Sequence, residues 1–78
     1  IDLRTDEEFS KGSIKYSYNI DFQKREFIDN LDLLDTEKAY IIYCKSGNRS
    51  EKASLIMKSL GFKVIYHYKQ GYQDWVGD

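Results

Sequence analysis

The chain has 78 residues, of which 41% are hydrophobic and 32% charged, and this composition excludes a disordered or membrane-spanning segment. Its net charge of -1 provides no basic field, so nucleic acid and anionic membrane surfaces are not expected as partners. The single cysteine excludes an internal disulfide and a multi-cysteine zinc site, and it favours a reducing compartment such as the cytoplasm. We therefore expect one domain over residues 1–78, without a metal site.

The first residues predict a strand followed by a short helix. Ile1–Leu3 is typical of the end of a strand, so we expect upstream residues to be missing and the fold to be truncated at its N-terminus. Thr5 and Glu8 have the spacing of a capping box, in which each side chain bonds the backbone of the other residue. This motif predicts a short helix that continues through Phe9.

The middle of the chain predicts a strand, a helix and a second, buried strand. Residues 18–20 suit a short strand, and the apolar residues of the segment Phe22–Leu31 recur at helical spacing. Ala39–Tyr43 is a continuous apolar and aromatic run, which is typical of a parallel strand buried on both faces. Cys44 then lies at the carboxyl end of that strand.

The last third of the chain predicts a helix, a strand and a closing turn. The segment Ser50–Leu60 carries an apolar stripe and is followed by Gly61, which suits a helix end. Val64–His67 is typical of a strand, and residues 71–76 predict a turn and a short helix with Trp75 on its inner side. The alternation of strands and helices predicts an α/β sandwich around a mostly parallel sheet.

The loop Cys44-Lys45-Ser46-Gly47-Asn48-Arg49 connects the predicted buried strand to the predicted long helix. Ligands of open α/β sheets bind at this edge, and the backbone N–H groups at a helix N-terminus lower the pKa of a nearby thiol. Gly47 lets the loop fold tightly enough to direct several N–H groups at the sulfur, while Lys45 and Arg49 add positive charge. The sequence thus predicts a reactive thiolate.

This loop resembles the active-site loop of single-domain rhodaneses, and further motifs of that family follow in the same order along the chain. They are Asp2-Leu3-Arg4-Thr5, Glu7-Glu8-Phe9, Gly12-Ser13-Ile14, Asn19-Ile20, Gly61-Phe62, Val64, Gly71 and Trp75. The resemblance implies a rhodanese-like three-layer sandwich, in which a mostly parallel central sheet is flanked by helices.

The resemblance also implies a two-step sulfur transfer. The Cys44 thiolate would take sulfur from a small anionic donor such as thiosulfate, form a persulfide and pass the sulfur to cyanide or a thiol, which could belong to a protein. The loop amides would hold the negative charge, and Lys45 and Arg49 would bind the donor. The reaction implied here needs no metal or organic cofactor.

Two alternatives remain open at this point. The loop could belong to a non-enzymatic sulfur carrier or a regulatory rhodanese module of a larger protein. It could also belong to a cysteine-based phosphatase or arsenate reductase, but those loops have five residues between cysteine and arginine, whereas four separate Cys44 from Arg49. The shorter loop favours a sulfur atom over a tetrahedral oxyanion.

Several other residues have simpler interpretations beside a functional one. Asp2 and Arg4 could support the pocket, although such a pair more often braces loops through hydrogen bonds. Trp75 is expected to be a core anchor, near the pocket wall by the family resemblance. His67, the single histidine, is expected to be a packed strand residue, because an ionised thiol needs no general base.

Overall fold

The computed structural model describes residues 1–75. Its elements are, in chain order, α1 (Asp6–Ser10), α2 (Phe27–Asp32), β1 (Ala39–Ile42), α3 (Asn48–Ser59), β2 (Val64–His67) and a 3-10 turn (Tyr72–Asp74). Strands β1 and β2 are parallel, with Ala39 opposite Val64 and Ile42 opposite His67. No helix within the described residues is long and apolar enough to cross a membrane.

Two more segments extend this sheet through single parallel bridges. Asp2 bridges Asn19 on one side and Tyr43 on the other. The Leu3 N–H donates to the Tyr43 carbonyl at 2.8 Å, and the Ile20 N–H donates to the Asp2 carbonyl at 3.0 Å. The strands predicted at the start of the chain and at residues 18–20 are therefore present as bridges, and the mostly parallel sheet is confirmed.

The two predicted helices of the first half differ in how well they match the structure. The capping box is confirmed, because Glu8 N–H donates to Thr5 Oγ1 at 3.2 Å and Thr5 N–H donates to Glu8 Oε1 at 2.8 Å. The helix predicted over Phe22–Leu31 is too long, since α2 begins only at Phe27. Asp21 causes the difference: its side chain accepts a hydrogen bond from the N–H of Gln23 at 2.8 Å and holds a turn.

The hydrophobic core lies on one face of the sheet. Helices α2 and α3 both contribute to it, and α3 begins at Asn48 rather than at the predicted Ser50 because Gly47 already turns the chain. The buried members of the core are Leu3, Ile20, Phe27, Leu31, Ile42, Cys44, Ala53, Met57 and Phe62. Of the apolar stripe predicted for α3, Ala53 and Met57 are buried and Ile56 packs against the core, whereas Leu60 is exposed.

Two expectations about burial are wrong. Strand β1 is not buried on both faces: Ile42 is buried, but Ile41 is 62% exposed, because the helices that form the core lie on the opposite face. Trp75 is 38% exposed, and its ring meets the Tyr68 ring edge-on with 6.1 Å between the ring centroids. It is therefore not a core anchor. It follows the 3-10 turn that replaces the predicted helix, whose last predicted residue, Val76, lies outside the described residues.

Candidate active site

The Cys44 sulfur lies where strand β1 passes into helix α3. Gly47 N–H donates to Cys44 Sγ at 3.1 Å, and Ser50 N–H points at the same atom at 3.4 Å. Gly47 precedes the first helical residue with φ 98°, a conformation that favours glycine. The sulfur therefore faces the N-terminus of a 12-residue helix, where free N–H groups and the helix dipole favour an anion.

These contacts change the ionisation of the thiol. Burial acts to raise the pKa of Cys44, but hydrogen bonds from the Ser50 hydroxyl and from the N–H groups of Ser50, Ser46 and Gly47 outweigh it, and the pKa lies below its ordinary value. Cys44 is only 1% exposed, yet the loop amides point at its sulfur. The loop thus favours the thiolate even though the side chain is buried.

Close backbone packing holds the loop in this shape. Tyr72 N–H donates to the Cys44 carbonyl at 2.8 Å. Gly71 has φ 77°, and a Cβ added there would lie 2.3 Å from the Lys45 carbonyl oxygen. A Cβ added to Gly47 would lie 2.3 Å from the Lys69 carbonyl oxygen. The two glycines therefore allow the chain after β2 to press directly against the cysteine loop.

The structure places the two cations of the loop differently. Arg49 forms two hydrogen bonds to the Glu8 carboxylate of α1, at 2.9 and 3.3 Å. The Arg49 hydrogen bond lowers the pKa of Glu8 to about 2, and the same bond, with a contribution from negative charge at Cys44, raises the pKa of Arg49. Lys45 is exposed and forms no ion pair with any carboxylate of residues 1–75. Ser46 and Asn48 are also exposed on the loop.

Asp2 and Arg4 form a buried ion pair in the first segment of the chain. Arg4 NH2 donates to Asp2 Oδ2 at 2.7 Å and to the Gly12 carbonyl at 2.6 Å, and the guanidinium stacks 4.0 Å from the centre of the Tyr72 ring. Tyr43 Oη also donates to Asp2 Oδ2, at 2.8 Å. These side chains therefore connect the first segment of the chain to the loop at Gly12, to Tyr43 and to the 3-10 turn at Tyr72.

Sequence reasoning missed three partners of the loop. The sequence patterns place Glu8 in a capping box and a family motif, Ser50 at the start of a predicted helix and His67 on a packed strand, and they assign none of them a contact with the loop. In the structure the Ser50 hydroxyl lies 3.4 Å from Cys44 Sγ and 2.5 Å from His67 Nε2. The parallel register could have revealed His67, because it pairs with Ile42, two residues before the cysteine.

The parallel sheet and the cysteine loop at its carboxyl edge define an α/β domain in which backbone N–H groups point at a buried thiol. Within residues 1–75 no group of three histidine, cysteine, aspartate or glutamate side chains could hold a metal ion. The chain belongs to the rhodanese-like domain family, whose model matches residues 1–78.

Three similar proteins agree with this assignment. The chain is 35% identical to a putative mitochondrial thiosulfate sulfurtransferase of Schizosaccharomyces pombe, covering 96% of this chain and 61% of that protein. It is 38% identical to the putative sulfur carrier protein YrkF of Bacillus subtilis, covering 99% of this chain and 40% of that protein. The crystal structure of a rhodanese-related protein from Thermoplasma volcanium has a TM-score of 0.85 and 33% identity, covering 96% of this chain and 72% of that one. The predicted rhodanese-like fold is confirmed.

Proposed function

We propose that the chain is a sulfurtransferase that carries sulfane sulfur as a persulfide on Cys44. The observation behind this proposal is that the N–H groups of Gly47 and Ser50 point at one sulfur atom at the start of α3. A persulfide places its negative charge on the outer sulfur, which the loop amides would surround. The S. pombe relative named as a putative thiosulfate sulfurtransferase supports the same chemistry.

The reaction proceeds in two balanced steps. The Cys44 thiolate attacks the outer sulfur of thiosulfate, a new S–S bond forms, and the bond to the sulfonate sulfur breaks, so that sulfite leaves with its electron pair. Cyanide or a thiolate then attacks the outer sulfur of the persulfide, and Cys44 leaves again as a thiolate. Each step exchanges one bond at sulfur for another, so no external oxidant or reductant is consumed.

The two cations of the loop have different roles. Lys45, which is exposed, attracts the anionic donor to the loop and interacts with departing sulfite. Arg49 anchors the first turn of α3 to α1 through Glu8 and contributes positive charge near the sulfur. The acceptor is a small thiophile or a protein thiol, and the free Cys44 thiol suits a reducing compartment such as the cytoplasm.

Loading with thiosulfate tests the persulfide directly. We expect intact-mass analysis of the protein after incubation with thiosulfate to show one added sulfur atom, which a reducing thiol removes. Cys44→Ser should show none, whereas Ser59→Ala, at the opposite end of α3, should load like the original chain. Absence of the adduct in the original chain, or an equal adduct in Cys44→Ser, would contradict the proposal.

Turnover separates an enzyme from a sulfur carrier. The near-complete burial of Cys44 and the B. subtilis relative named as a putative sulfur carrier favour the carrier as second candidate. An enzyme should form thiocyanate from thiosulfate and cyanide over many cycles, while a carrier should form at most one equivalent. Hydrolysis of an aryl phosphate is not expected. A phosphatase would need the Arg49 guanidinium to bind phosphate, but this guanidinium already donates both hydrogen bonds to the Glu8 carboxylate.

A further inference from the structure

A chain of hydrogen bonds connects the Cys44 sulfur to the single histidine of the sequence. Ser50 Oγ lies 3.4 Å from Cys44 Sγ and 2.5 Å from His67 Nε2, and Ser50 is fully buried. The same hydroxyl can also donate to the Gly47 carbonyl at 3.2 Å. One buried hydroxyl therefore contacts both the thiol and the imidazole.

The two ends of this chain differ in their access to water. Cys44 is 1% exposed, whereas His67 is half-buried and forms part of the wall of an open surface depression. Glu51, Ser54 and Lys58 of α3 and Lys69 after β2 line the same depression. His67 thus stands between the buried hydroxyl and the solvent.

The single proton of the Ser50 hydroxyl can serve only one of its neighbours at a time. When His67 Nε2 is unprotonated, the hydroxyl donates to it and its oxygen can accept the S–H of the thiol. When Nε2 carries a proton, it donates to the oxygen, and the hydroxyl is free to donate to the sulfur. Moving one proton from Sγ to Oγ and another from Oγ to Nε2 converts thiol and imidazole into thiolate and imidazolium.

We propose that Ser50 is a proton bridge and His67 a positioning residue, which together carry the Cys44 proton towards solvent and direct the Ser50 hydroxyl onto the thiolate. The use of that thiolate in sulfur transfer rests on the proposed function. The coupling between Cys44 and His67 is independent of sulfur transfer, because it requires only the side chains of Cys44, Ser50 and His67.

The charges around His67 determine the pH at which this coupling occurs. Burial lowers the pKa of His67, Glu51 opposes that effect and Lys69 adds to it, with Lys58 nearby in the same depression. On the other side of Ser50, the loop N–H groups and Arg49 favour the anionic sulfur. A negative sulfur should therefore stabilise the imidazolium across the hydroxyl.

Because the chain has a single histidine and a single cysteine, each titration can be followed without ambiguity. We expect the NMR titration curve of His67 to show, besides its own midpoint, a second inflection at the pH where alkylation reports ionisation of Cys44, because the charge on the sulfur changes across the shared hydroxyl. Cys44→Ala should lack that inflection. A His67 curve that is the same in the original chain and in Cys44→Ala would overturn the proposal.

Alkylation of Cys44 by iodoacetamide as a function of pH tests the bridge from the other end. Ser50→Ala should move the alkylation midpoint up by about one pH unit, and Ser50→Thr, which keeps the hydroxyl, should restore it. His67→Gln keeps a polar amide but cannot titrate. In this variant the rate of Cys44 alkylation should no longer change at the pH where His67 titrates. If Ser50→Ala does not fold, Ser50→Thr and His67→Gln still decide the outcome: an unchanged profile in His67→Gln contradicts the proposal.

The test also separates this inference from the proposed function. If the titrations of Cys44 and His67 are coupled but no persulfide forms on Cys44, the proton bridge is supported and sulfur transfer is rejected. A persulfide that forms on Cys44 with no coupling to His67 would reject the bridge alone.

Discussion

Two buried polar clusters lie on the sheet of this domain, and they differ in what their hydrogen bonds accomplish. In the first, Asp2 accepts bonds from the backbone and side chain of Arg4 and from Tyr43, so its charge is matched on all sides. In the second, Cys44 receives N–H groups from Gly47 and Ser50. The first cluster pairs opposite charges, and the second gathers donors around a group that can gain or lose its charge.

The comparison shows that burial alone does not distinguish a structural cluster from a reactive one. Asp2 and Ser50 are fully buried and Cys44 nearly so. What differs is the group at the outer end: the Cys44 cluster reaches a half-buried histidine, which can take up a proton, while the Asp2 cluster ends at the Tyr72 ring over Arg4 and at the half-buried Ser17 hydroxyl beside Tyr43. We expect substitutions in the first cluster to lower stability, and substitutions in the second to change reactivity.

The largest effect on stability is expected from Asp2→Ala. This change leaves the buried Arg4 guanidinium without its carboxylate, at a cost of about 3–5 kcal/mol in the free energy of unfolding. Urea denaturation measures that loss. Asp6→Ala is the matched control, because Asp6 also pairs with a cation, Lys24, but both side chains are at least half exposed.

The control variant should lose less than about 1 kcal/mol, as exposed ion pairs usually do. Equal losses in Asp2→Ala and Asp6→Ala would show that the Asp2 cluster does not stabilise the fold in the way that its burial indicates. The contrast between the two buried clusters would then fail.

A smaller loss of stability, together with a change in reactivity, is expected from Gly71→Ala. The new Cβ would overlap the Lys45 carbonyl and displace the cysteine loop, at a cost of about 3 kcal/mol. Gly61→Ala is the control: Gly61 also has a positive φ, 95°, but nothing lies within 4 Å of its added Cβ. It should lose only about 1 kcal/mol.

Gly71→Ala should also raise the pKa of Cys44 above that of the original chain, because a displaced loop no longer directs its N–H groups at the sulfur. Iodoacetamide kinetics as a function of pH measure this change. A variant that is less stable but keeps the thiol pKa would show that the loop amides hold their positions without support from residue 71.

Local patterns in the sequence were sufficient for much of the fold and for the identity of the nucleophile. The capping box of Thr5 and Glu8, the strand that leads to Cys44 and the apolar stripe of α3 depend on residues close together in the chain, and the structure contains all three. The amides of the cysteine loop follow from the same local geometry. Periodicity and turn chemistry describe such features directly.

The remaining features depend on contacts between distant residues. Glu8 and Arg49 are 41 positions apart, and Ser50 and His67 are 17 apart, so neither pair leaves a periodic signal. The exposure of Ile41 depends on which face of β1 the helices cover, which an apolar run does not specify. The start of α2 was missed because the Asp21 side chain holds a local turn that competes with helix formation.

Apart from the control variants, the smallest expected stability change concerns the ion pair that joins the cysteine loop to α1. Arg49 holds the pKa of Glu8 at about 2, below the ordinary 4.5 of an unfolded chain. A lowered carboxyl pKa stabilises the fold above about pH 4.5, and this contribution is lost as the pH falls towards 2. Because both side chains are partly exposed, solvent screening reduces the effect, and Glu8→Gln should lose about 1 kcal/mol at pH 7.

The pH dependence of this loss distinguishes the Glu8 pair from a general charge effect on α1. The stability difference between the original chain and Glu8→Gln should shrink as the pH is lowered from 5 to about 2, because Glu8 becomes neutral in the original chain whereas the glutamine of the variant is neutral at every pH. Glu7→Gln removes the same charge from the same turn, where Glu7 is exposed and has no ion-pair partner within residues 1–75. If both variants lose stability equally and with the same pH profile, the Arg49 contact contributes nothing beyond helix electrostatics, and the cysteine loop is held by its backbone packing alone.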